Sequence, residues 1–398
     1  MRVLLSSYQC MPDQGSELGN GWHWARALSE LGHEVTVLTQ PSHIIRAAAP
    51  PGITFLHAAC NTSPLARFSS QLGTTHHYLH WQDAAWEFAS EWDQPFDVVH
   101  HVSWGSLHLG SQLWKLPVPL VYGPIGGGQT APTGYWRQFG RSWPTEAVRT
   151  GITRGMLRWN RRSRDTVRGA AVTLVTNSAT AEACHDLGAR DVRYMLAEGL
   201  PPDWVGVPHD RPGGTPVVLW VGRMLPRKAP LLALQAFAEL HRTMPARLVV
   251  AGDGPLLDRL RDAVAELGLG EDVELCGRVP WTQMRQLYDG AGVFLFTSLR
   301  DSSGSQFLEA LGRGLPAVAL NHHGIGDLDV GRAAVKVDLP DRPRDLPSLL
   351  AAALVEVISD PAWAQRSADA VRWASGHTWA AKAAAASAVY RDVVGART

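Results

Sequence analysis

Lysine, cysteine and long apolar runs are scarce in this chain, and each scarcity excludes a class of protein. Lysine occurs only at positions 115, 228, 336 and 382, and arginine supplies the other basic residues. The 4 cysteines lie far apart with no paired spacing, which excludes a zinc framework or a disulfide scaffold and suits a reducing cytoplasm. No run of apolar residues approaches the ~18 that a membrane-spanning helix needs.

The chain also lacks a net charge. Its 37 basic and 37 acidic residues cancel, so no global field attracts nucleic acid. The opening residues 1–5 are too short for a signal-peptide core, and we expect a cytoplasmic protein. A length of 398 residues and an apolar share of 45% are typical of two globular domains.

Strands and helices alternate along the chain, which predicts α/β architecture with parallel sheets. A strand, a loop, a helix and a second strand fill the first forty residues. The pattern restarts after a segment rich in proline and glycine, residues 205–216, which we interpret as an interdomain linker. Predicted strands of the second half are 217–221, 247–251, 273–275, 293–297, 317–320 and 334–337. An alanine-rich helix over 378–394 closes the chain.

The stretch from Thr297 to Pro316 organises the second half. A buried strand ends there, the small-residue loop 302–305 follows, and a helix is predicted over 305–312. A helix N-terminus presents unsatisfied N–H groups and a partial positive charge, which favour a phosphate. Asp301 precedes the helix and Glu309 lies inside it, eight positions later. This pattern favours a ligand with central phosphates and hydroxyls at both ends, such as a nucleotide-sugar.

Two α/β halves in tandem predict a cleft between them. Open α/β sheets bind ligands at the carboxyl ends of their strands, and the glycine-rich loops of this chain lie at those ends. Loops of both halves are therefore expected to face one crevice.

At this point the pattern resembles the retaining GT-B glycosyltransferases of the family-4 type, also called glycosyltransferase group 1. The acid pair Asp301 and Glu309 resembles their E-x7-E motif, with aspartate in place of the first glutamate. Segment 221–228 resembles the strand-end G-R-x4-K motif, and segments 251–255 and 276–279 resemble the mid-domain turn and the base-binding turn.

The resemblance implies a GT-B fold with two doubly wound, Rossmann-like domains facing a central cleft. Residues 1–205 would form the acceptor-binding domain and residues 206–377 the nucleotide-sugar-binding domain. Residues 378–398 would form a helix that packs back on the N-terminal domain.

The resemblance also assigns roles in binding the donor. Arg223 and Lys228 would clamp the diphosphate and neutralise the leaving group, and Glu309 would accept hydrogen bonds from the ribose hydroxyls. Asp301, with Ser303, Gly304 and Ser305, would hold the sugar and the distal phosphate. Aspartate is one methylene shorter than the glutamate of the family motif, so its carboxylate would not reach the hexose in the usual way. A water molecule or a different sugar could fill the gap.

Further donor contacts follow from the same resemblance. Gly222 belongs to the phosphate-binding segment, and Arg278 and Val279 to the base-binding turn. Gly15 and Ser16 would approach the donor phosphates from the N-terminal domain. His101 would lie near the sugar as a catalytic histidine, but Val102 occupies the second position of the usual H-x-H pattern. A buried histidine with ordinary hydrogen bonds is an equal interpretation of His101, and a helix-capping acid is the alternative for Asp301.

The implied activity is transfer of a hexose from a nucleotide-diphosphate sugar, UDP being the commonest in the family, to an acceptor hydroxyl. Retention would follow from front-face attack without paired catalytic carboxylates. We expect no metal and no cofactor, because the two cations replace a divalent ion and no D-x-D cluster with a suitable strand context occurs. A nucleotide-sugar epimerase and a non-catalytic sugar-binding protein are the alternatives.

The acceptor would be a small molecule, a glycan or a lipid-linked sugar, and the sequence does not distinguish these three. It also does not identify the sugar transferred, the linkage or the oligomeric state. Residues 137–168 contain nine arginines against two acids. A solvated surface is the ordinary interpretation of such a stretch. The sharper alternative is a patch that contacts anionic lipid at the inner face of the membrane or binds a phosphorylated acceptor.

Overall fold

A computed structural model describes residues 1–12, 16–41, 50–60 and 71–396. It divides into two compact units. The first comprises residues 1–128, 153–198 and 379–398, and the second comprises residues 129–152 and 199–378. Each unit contains one parallel sheet with helices.

The first unit is built on a seven-stranded sheet in the order β3-β2-β1-β4-β5-β6-β7, with every pair parallel. Both faces of its central strands are buried, so burial along these strands is continuous and does not alternate between residues. The strands are β1 Arg2–Ser7, β2 Glu34–Thr39, β3 Ile53–His57, β4 Val98–Ser103, β5 Leu120–Ile125, β6 Val172–Val175 and β7 Val192–Tyr194.

Local signals set the ends of the helices in this unit. Asn177 caps α6 by accepting a hydrogen bond from the Thr180 N–H at 2.9 Å, and Gly188 ends that helix with a positive φ. The helices are α1 Ser16–Glu30, α2 Gln71–Ser90, α5 Arg161–Gly169, α6 Ser178–Leu187 and, at the end of the chain, α14 Trp379–Gly395.

The final helix, α14, belongs to the first unit. Its apolar face, including Trp379 and Tyr390, packs with Trp24 and Leu28 of α1 in one buried cluster. His100 in β4 fixes the helix further: its Nε2–H donates to the carbonyl of Gly123 at 2.8 Å, so its Nδ1 accepts from the Tyr390 hydroxyl at 2.6 Å. The chain thus returns to its first sheet after it completes the second.

The second unit contains a six-stranded parallel sheet in the order β10-β9-β8-β11-β12-β13. Its strands are β8 Val217–Val221, β9 Arg247–Ala251, β10 Val273–Gly277, β11 Val293–Phe296, β12 Ala317–Leu320 and β13 Ala334–Val337. Its helices are α3 Trp136–Phe139, α4 Trp143–Gly151, α7 Pro230–His241, α8 Leu257–Glu266, α9 Trp281–Asp289, α10 Ser305–Gly312, α11 His323–Gly326, α12 Leu346–Ser359 and α13 Trp363–Ser375. A short 3-10 turn, Pro226–Lys228, precedes α7.

The ends of β8 and β9 approach each other so closely that only glycine fits at position 252. Its φ is +144°, and a Cβ there would lie 1.8 Å from the Gly222 carbonyl oxygen. The Gly252 N–H in turn donates to the Gly277 carbonyl at 2.7 Å. Three strand ends of the second sheet are therefore held together by backbone contacts alone.

The compact units differ from the predicted domain bounds in more than one place, since residues 199–205 and residue 378 belong to the second unit. Residues 129–152, which we assigned with 1–205, group with the second unit. Tyr135 there donates to the Pro340 carbonyl at 3.1 Å, and His323 donates to the Thr130 carbonyl at 2.6 Å. The basic composition of the segment carried no signal of these distant partners.

Helix α2, Gln71–Ser90, contains histidine and tryptophan side chains, and residues 61–70 before it lie outside the described residues. Helix α13 was not predicted. No single helix among the described residues is long and apolar enough to cross a membrane, although the bent pair Pro343–Ser359 and Trp363–Ser375 passes that test by length and composition.

We expect Gly252→Ala to lower the free energy of unfolding by about 3 kcal/mol, because the new methyl group meets backbone and the backbone torsion becomes strained. Chemical denaturation of the purified protein measures the change. Gly270→Ala is the matched control, since nothing lies within 4 Å of a Cβ at that position. Equal stability of the two variants would contradict the close approach of the strand ends.

Candidate functional site

The loop that follows β11 in the second unit contains a buried ion pair. The Lys228 ammonium donates to a carboxylate oxygen of Asp301, and its side chain is 9% exposed against 15% for Asp301. The same ammonium lies 3.4 Å from the Gln306 amide oxygen and 5.3 Å from the centre of the Phe296 ring. The structure therefore brings together two predicted residues that are 73 positions apart.

The turn that carries Lys228 is fixed to the end of β11. The Thr297 hydroxyl lies 3.0 Å from the carbonyl oxygens of both Lys228 and Ala229, and it accepts from the Trp220 indole N–H at 3.0 Å. The Leu299 N–H donates to the Arg227 carbonyl at 2.8 Å. Hydrogen bonds from two strand ends thus hold the lysine in place before any ligand arrives.

The Asp301 carboxylate is held by several donors besides Lys228. One oxygen accepts from the Ser298 hydroxyl at 3.1 Å and the other from the Ser302 N–H at 3.0 Å, while the Arg227 guanidinium lies 4.0 Å away. Burial acts to raise the pKa of Asp301, but the Lys228 and Arg227 charges and the hydrogen bonds outweigh it and hold the pKa below its usual value. The carboxylate is ionised at neutral pH.

The small-residue loop leads into the start of α10. Gly304 adopts a left-handed conformation with φ +66°, and a Cβ there would lie 2.8 Å from Ile325. The Phe307 N–H makes the first turn of the helix by donating to the Gly304 carbonyl at 2.9 Å, so the backbone amides of Ser305 and Gln306 precede it. Ser303 is buried beside them. The arrangement suits an anion at the helix start.

Glu309, on α10, is partly buried among aromatic side chains. The Tyr288 hydroxyl donates to one carboxylate oxygen at 2.8 Å, and the Trp281 indole N–H lies 3.4 Å from the other. A third ring, Trp204, donates its indole N–H to the Glu309 carbonyl at 3.1 Å. An ionised carboxylate accepts hydrogen bonds at both of its oxygens, so hydroxyl groups and N–H groups both suit this side chain as donors. Sequence reasoning missed these rings, because scattered tryptophans gave no spacing signal.

Arg223, at the end of β8, differs from Lys228 in its surroundings. Its side chain is exposed, and among the described residues it has no hydrogen bond or ion pair. The adjacent backbone is well fixed, since the Met224 N–H donates to the Asp253 carbonyl at 2.9 Å. The structure thus pairs one predicted cation and leaves the other open to solvent.

The predicted base-binding turn follows β10. The Gly277 carbonyl accepts the hydrogen bond from Gly252, which ties this turn to the strand end before the mid-domain turn. Arg278 is exposed and Val279 is partly buried. Gly222 is buried against the Trp220 ring, where a Cβ would lie 3.2 Å from the indole. These residues lie on loops at the carboxyl ends of β8, β9 and β10, as a ligand site in a parallel sheet requires.

Sequence reasoning missed an ion pair beside the Asp301 loop. The Arg300 Nε lies 2.7 Å from one oxygen of Glu146, and Arg149 lies 3.7 Å from the same oxygen. Burial lowers the pKa of Arg300 to about 10, with the nearby Arg149 charge as the second cause. Glu146 stands 154 positions before Arg300, and only the fold reveals their contact.

His101, a predicted site residue of the first unit, lies in the buried interior of that unit. His101 is fully buried: the Tyr78 hydroxyl, which accepts from Gln82 at 2.8 Å, donates to His101 Nε2 at 3.1 Å. His101 Nδ1–H therefore donates to the Ser6 hydroxyl at 3.0 Å, and burial lowers the pKa of His101 to about 3. This environment favours the buried, hydrogen-bonded interpretation, and a catalytic role stays a prediction.

Gly15 lies outside the described residues, and Ser16 is described only as the first residue of α1. The next residue, Glu17, accepts a long hydrogen bond of 3.4 Å from the Gly105 N–H. Burial, followed by the charge of Glu198, raises the pKa of Glu17 to about 7.

The basic stretch, residues 137–168, runs through parts of both units. It divides between the two units after residue 152, and several of its arginines have partners. Arg162 pairs with Asp83 at 2.8 Å, and Arg168 donates to the Leu187 carbonyl at 2.9 Å. The predicted contact with a membrane gains no support from this arrangement. Within the described part of the chain, no three histidine, cysteine, aspartate or glutamate side chains come together as a metal site would require.

Comparison with known proteins concerns the second unit most directly. Residues 207–329 match the family described as Glycosyl transferases group 1. A D-inositol 3-phosphate glycosyltransferase from Thermobispora bispora is 34% identical over 197 residues, which is 46% of this chain and 44% of the relative. The chain thus aligns with less than half the length of that relative.

Solved structures match the whole chain at low identity. Sucrose-phosphate synthase from Thermosynechococcus elongatus covers 99% of both chains with a TM-score of 0.72 and 16% identity. HepE from Anabaena, solved in complex with UDP, covers 98% of this chain and 100% of its own, with a TM-score of 0.62 and 15% identity. These likenesses confirm the predicted fold of two Rossmann-like domains, the GT-B fold.

The Asp301 ion pair makes stability depend on pH. Because the folded-state pKa of Asp301 lies below its unfolded value of ~3.9, the pair stabilises the protein above that pH and is lost as pH falls through the folded pKa. We expect Asp301→Asn to lower the unfolding free energy at pH 7 by about 3 kcal/mol, with the difference from wild type shrinking below pH 4. Denaturation curves at several pH values measure this. Asp258→Asn, an exposed acid on α8, should leave the curve unchanged, and a pH-independent loss for Asp301→Asn would contradict the assignment.

Proposed function

We propose that this chain is a retaining glycosyltransferase of the family-4 type, and the match of residues 207–329 to the group 1 glycosyl transferases supports the proposal. It transfers a hexose from a nucleotide-diphosphate sugar to an acceptor hydroxyl. The observation that carries the proposal is the Lys228–Asp301 pair at the start of α10, with Glu309 further along the same helix.

The second unit binds the donor in this proposal. The diphosphate lies against the amides of Ser303, Gly304 and Ser305, and Lys228 turns its ammonium from Asp301 toward the phosphate oxygens. Arg223 contributes a second cation from the end of β8, where its exposed side chain is available to a ligand. A fixed lysine and an open arginine together suit a ligand that brings its own negative charge.

The two ends of the donor are assigned to separate groups. Glu309 accepts hydrogen bonds from the ribose hydroxyls, and the aromatic donors Tyr288 and Trp281 keep its carboxylate oriented. The base lies against the turn of Arg278 and Val279, next to Gly222. Asp301 faces the sugar with the acceptor capacity that Lys228 and the serines leave.

The reaction breaks the bond between the anomeric carbon and the β-phosphate oxygen and forms the new bond to the acceptor oxygen on the same face. The acceptor proton passes to the departing phosphate oxygen. Negative charge on that oxygen grows in the transition state, so preorganised cations and N–H groups lower the barrier. Lys228 and Arg223 supply this charge, and we therefore propose that no divalent metal is needed.

The proposal also names the nucleotide of the donor and the chemical class of the acceptor. UDP is proposed as the nucleotide, and the UDP bound by HepE of the same fold supports this choice. The acceptor is proposed to be a sugar or sugar-like alcohol, in keeping with the inositol phosphate named for the Thermobispora relative. Gly15, Ser16 and His101 of the first unit remain candidates for contacts with the acceptor or the donor sugar.

The activity is tested by incubating the protein with UDP-sugars, with and without a panel of sugar acceptors and EDTA. We expect release of UDP that depends on the acceptor and survives EDTA, and a product whose anomeric configuration matches the donor by NMR. Conversion of the donor without an acceptor would favour an epimerase. Binding without any turnover would favour a non-catalytic protein.

We expect Arg223→Gln to lower kcat about 100-fold, because one of the two transition-state cations is lost. The melting temperature should not change, since the Arg223 side chain is exposed. Arg242→Gln is the matched control and should retain full activity, because Arg242 is exposed just after α7 and pairs with Glu239 of that helix. Unchanged turnover in Arg223→Gln would refute the role of Arg223.

A further inference from the structure

Four cations and two carboxylates meet beside the Asp301 loop, and we call this group the arginine cluster. Its members are Glu146, Arg149, Arg227, Lys228, Arg300 and Asp301. Lys228 and Arg227 lie around Asp301, while Arg149 and Arg300 lie around Glu146. None of these four cations forms an ion pair with any further acid among the described residues.

The arginine cluster has more positive than negative charges, and some of its side chains are shielded from solvent. Glu146 has a side chain only 10% exposed and Arg300 one of 13%, so water screens their charges poorly. One carboxylate serves two guanidinium groups, since Arg300 contacts both oxygens at 2.7 and 3.2 Å and Arg149 lies 3.7 Å away. Buried charges that are not neutralised cost free energy, and an incoming anion would recover part of that cost.

The diphosphate does not account for the whole excess. In the proposed function the diphosphate takes Lys228 and the exposed Arg223, which leaves the Arg300 side of the cluster unassigned. Arg300 and Asp301 are adjacent in sequence but turn to different partners, Glu146 and Lys228. The charges of both act on His323, whose imidazole donates to the Thr130 carbonyl at 2.6 Å. The extra cations therefore border the place that Asp301 assigns to the sugar.

We propose that Arg149 and Arg300, with Glu146 as their counter-charge, bind an anionic group, a carboxylate or a phosphate, carried by a sugar substrate. The inference rests on the proposed function for the presence of a sugar at Asp301. A guanidinium can bind such a group through two parallel N–H donors, which a lysine cannot do. A neutral sugar leaves the excess charge unmatched, so the cluster selects for charge as well as for shape.

The anion has two possible sources, and the experiment separates them. Isothermal titration at low ionic strength compares UDP-glucuronate with UDP-glucose, and then glucose 6-phosphate with glucose in the presence of UDP. We expect one anionic ligand to bind about 10-fold more tightly than its neutral counterpart. A preference in the first pair identifies the donor sugar, and one in the second identifies the acceptor. Equal affinities in both pairs would overturn the proposal.

Two variants of the arginine cluster are expected to change the preference for the anionic ligand in opposite directions. Arg149→Gln removes a cation that is partly exposed, and it should reduce the preference for the anionic ligand about 10-fold. Glu146→Gln removes the competing carboxylate, and it should increase the preference. Arg141→Gln, exposed on the same segment, is the control and should leave it unchanged. If both cluster variants alter stability alone and the preference stays constant, the ion pair is purely structural and the proposal fails.

The outcome is separable from that of the proposed function. Binding of UDP itself, measured in the same titrations, tests the donor site. Wild-type protein that binds UDP but shows no charge preference would retain the glycosyltransferase proposal and refute the anion site. Protein that binds glucose 6-phosphate over glucose without binding UDP would refute the donor assignment and retain the anion site.

Discussion

The buried contact between Lys228 and Asp301 is the constraint on which the rest of the site depends. It joins the turn before α7 to the loop before α10, and so it links two strand ends of the second sheet. Burying either charge without the other would be costly, and the Lys228 and Arg227 charges, with a hydrogen bond from Ser298, keep the carboxylate ionised. The same contact holds the ammonium close to the helix start, where a phosphate is favoured for a separate reason, the unsatisfied amides.

Most of the fold could be predicted from the sequence, because buried parallel strands are short apolar runs with clear boundaries. Predictions such as 217–221, 247–251 and 317–320 agree with the observed strands at both ends. The failures have a physical pattern. Helix α13 has mixed polarity and no strong capping signal, and residues 129–152 join the second unit through hydrogen bonds to residues some 200 positions away. The local pattern of apolar and polar residues does not indicate contacts with residues so far away in the sequence.

The positions of candidate site residues could be predicted where a sequence motif put charged side chains at the end of a predicted strand. Lys228, Asp301 and Glu309 lie at the ends or on the helices that the sequence assigned to them. Their surroundings were not predictable. That Glu309 would receive hydrogen bonds from Tyr288 and Trp281, or that Arg300 would meet Glu146, depends on helix packing and on the path of a long connection. His101 shows the opposite case: a histidine in a suggestive position whose two ring nitrogens are already satisfied by Ser6 and Tyr78.

The grouping of residues 129–152 with the second unit has a consequence for how this protein can be divided. The chain passes between the units at residues 128/129, 152/153, 198/199 and 378/379, so neither unit is one continuous piece of polypeptide. A chimera cut at the proline-rich linker would separate Glu146 and Arg149 from Arg300 and would also detach α14 from the sheet it covers. Exchange of the first unit between related proteins would have to leave the 129–152 segment with the second unit.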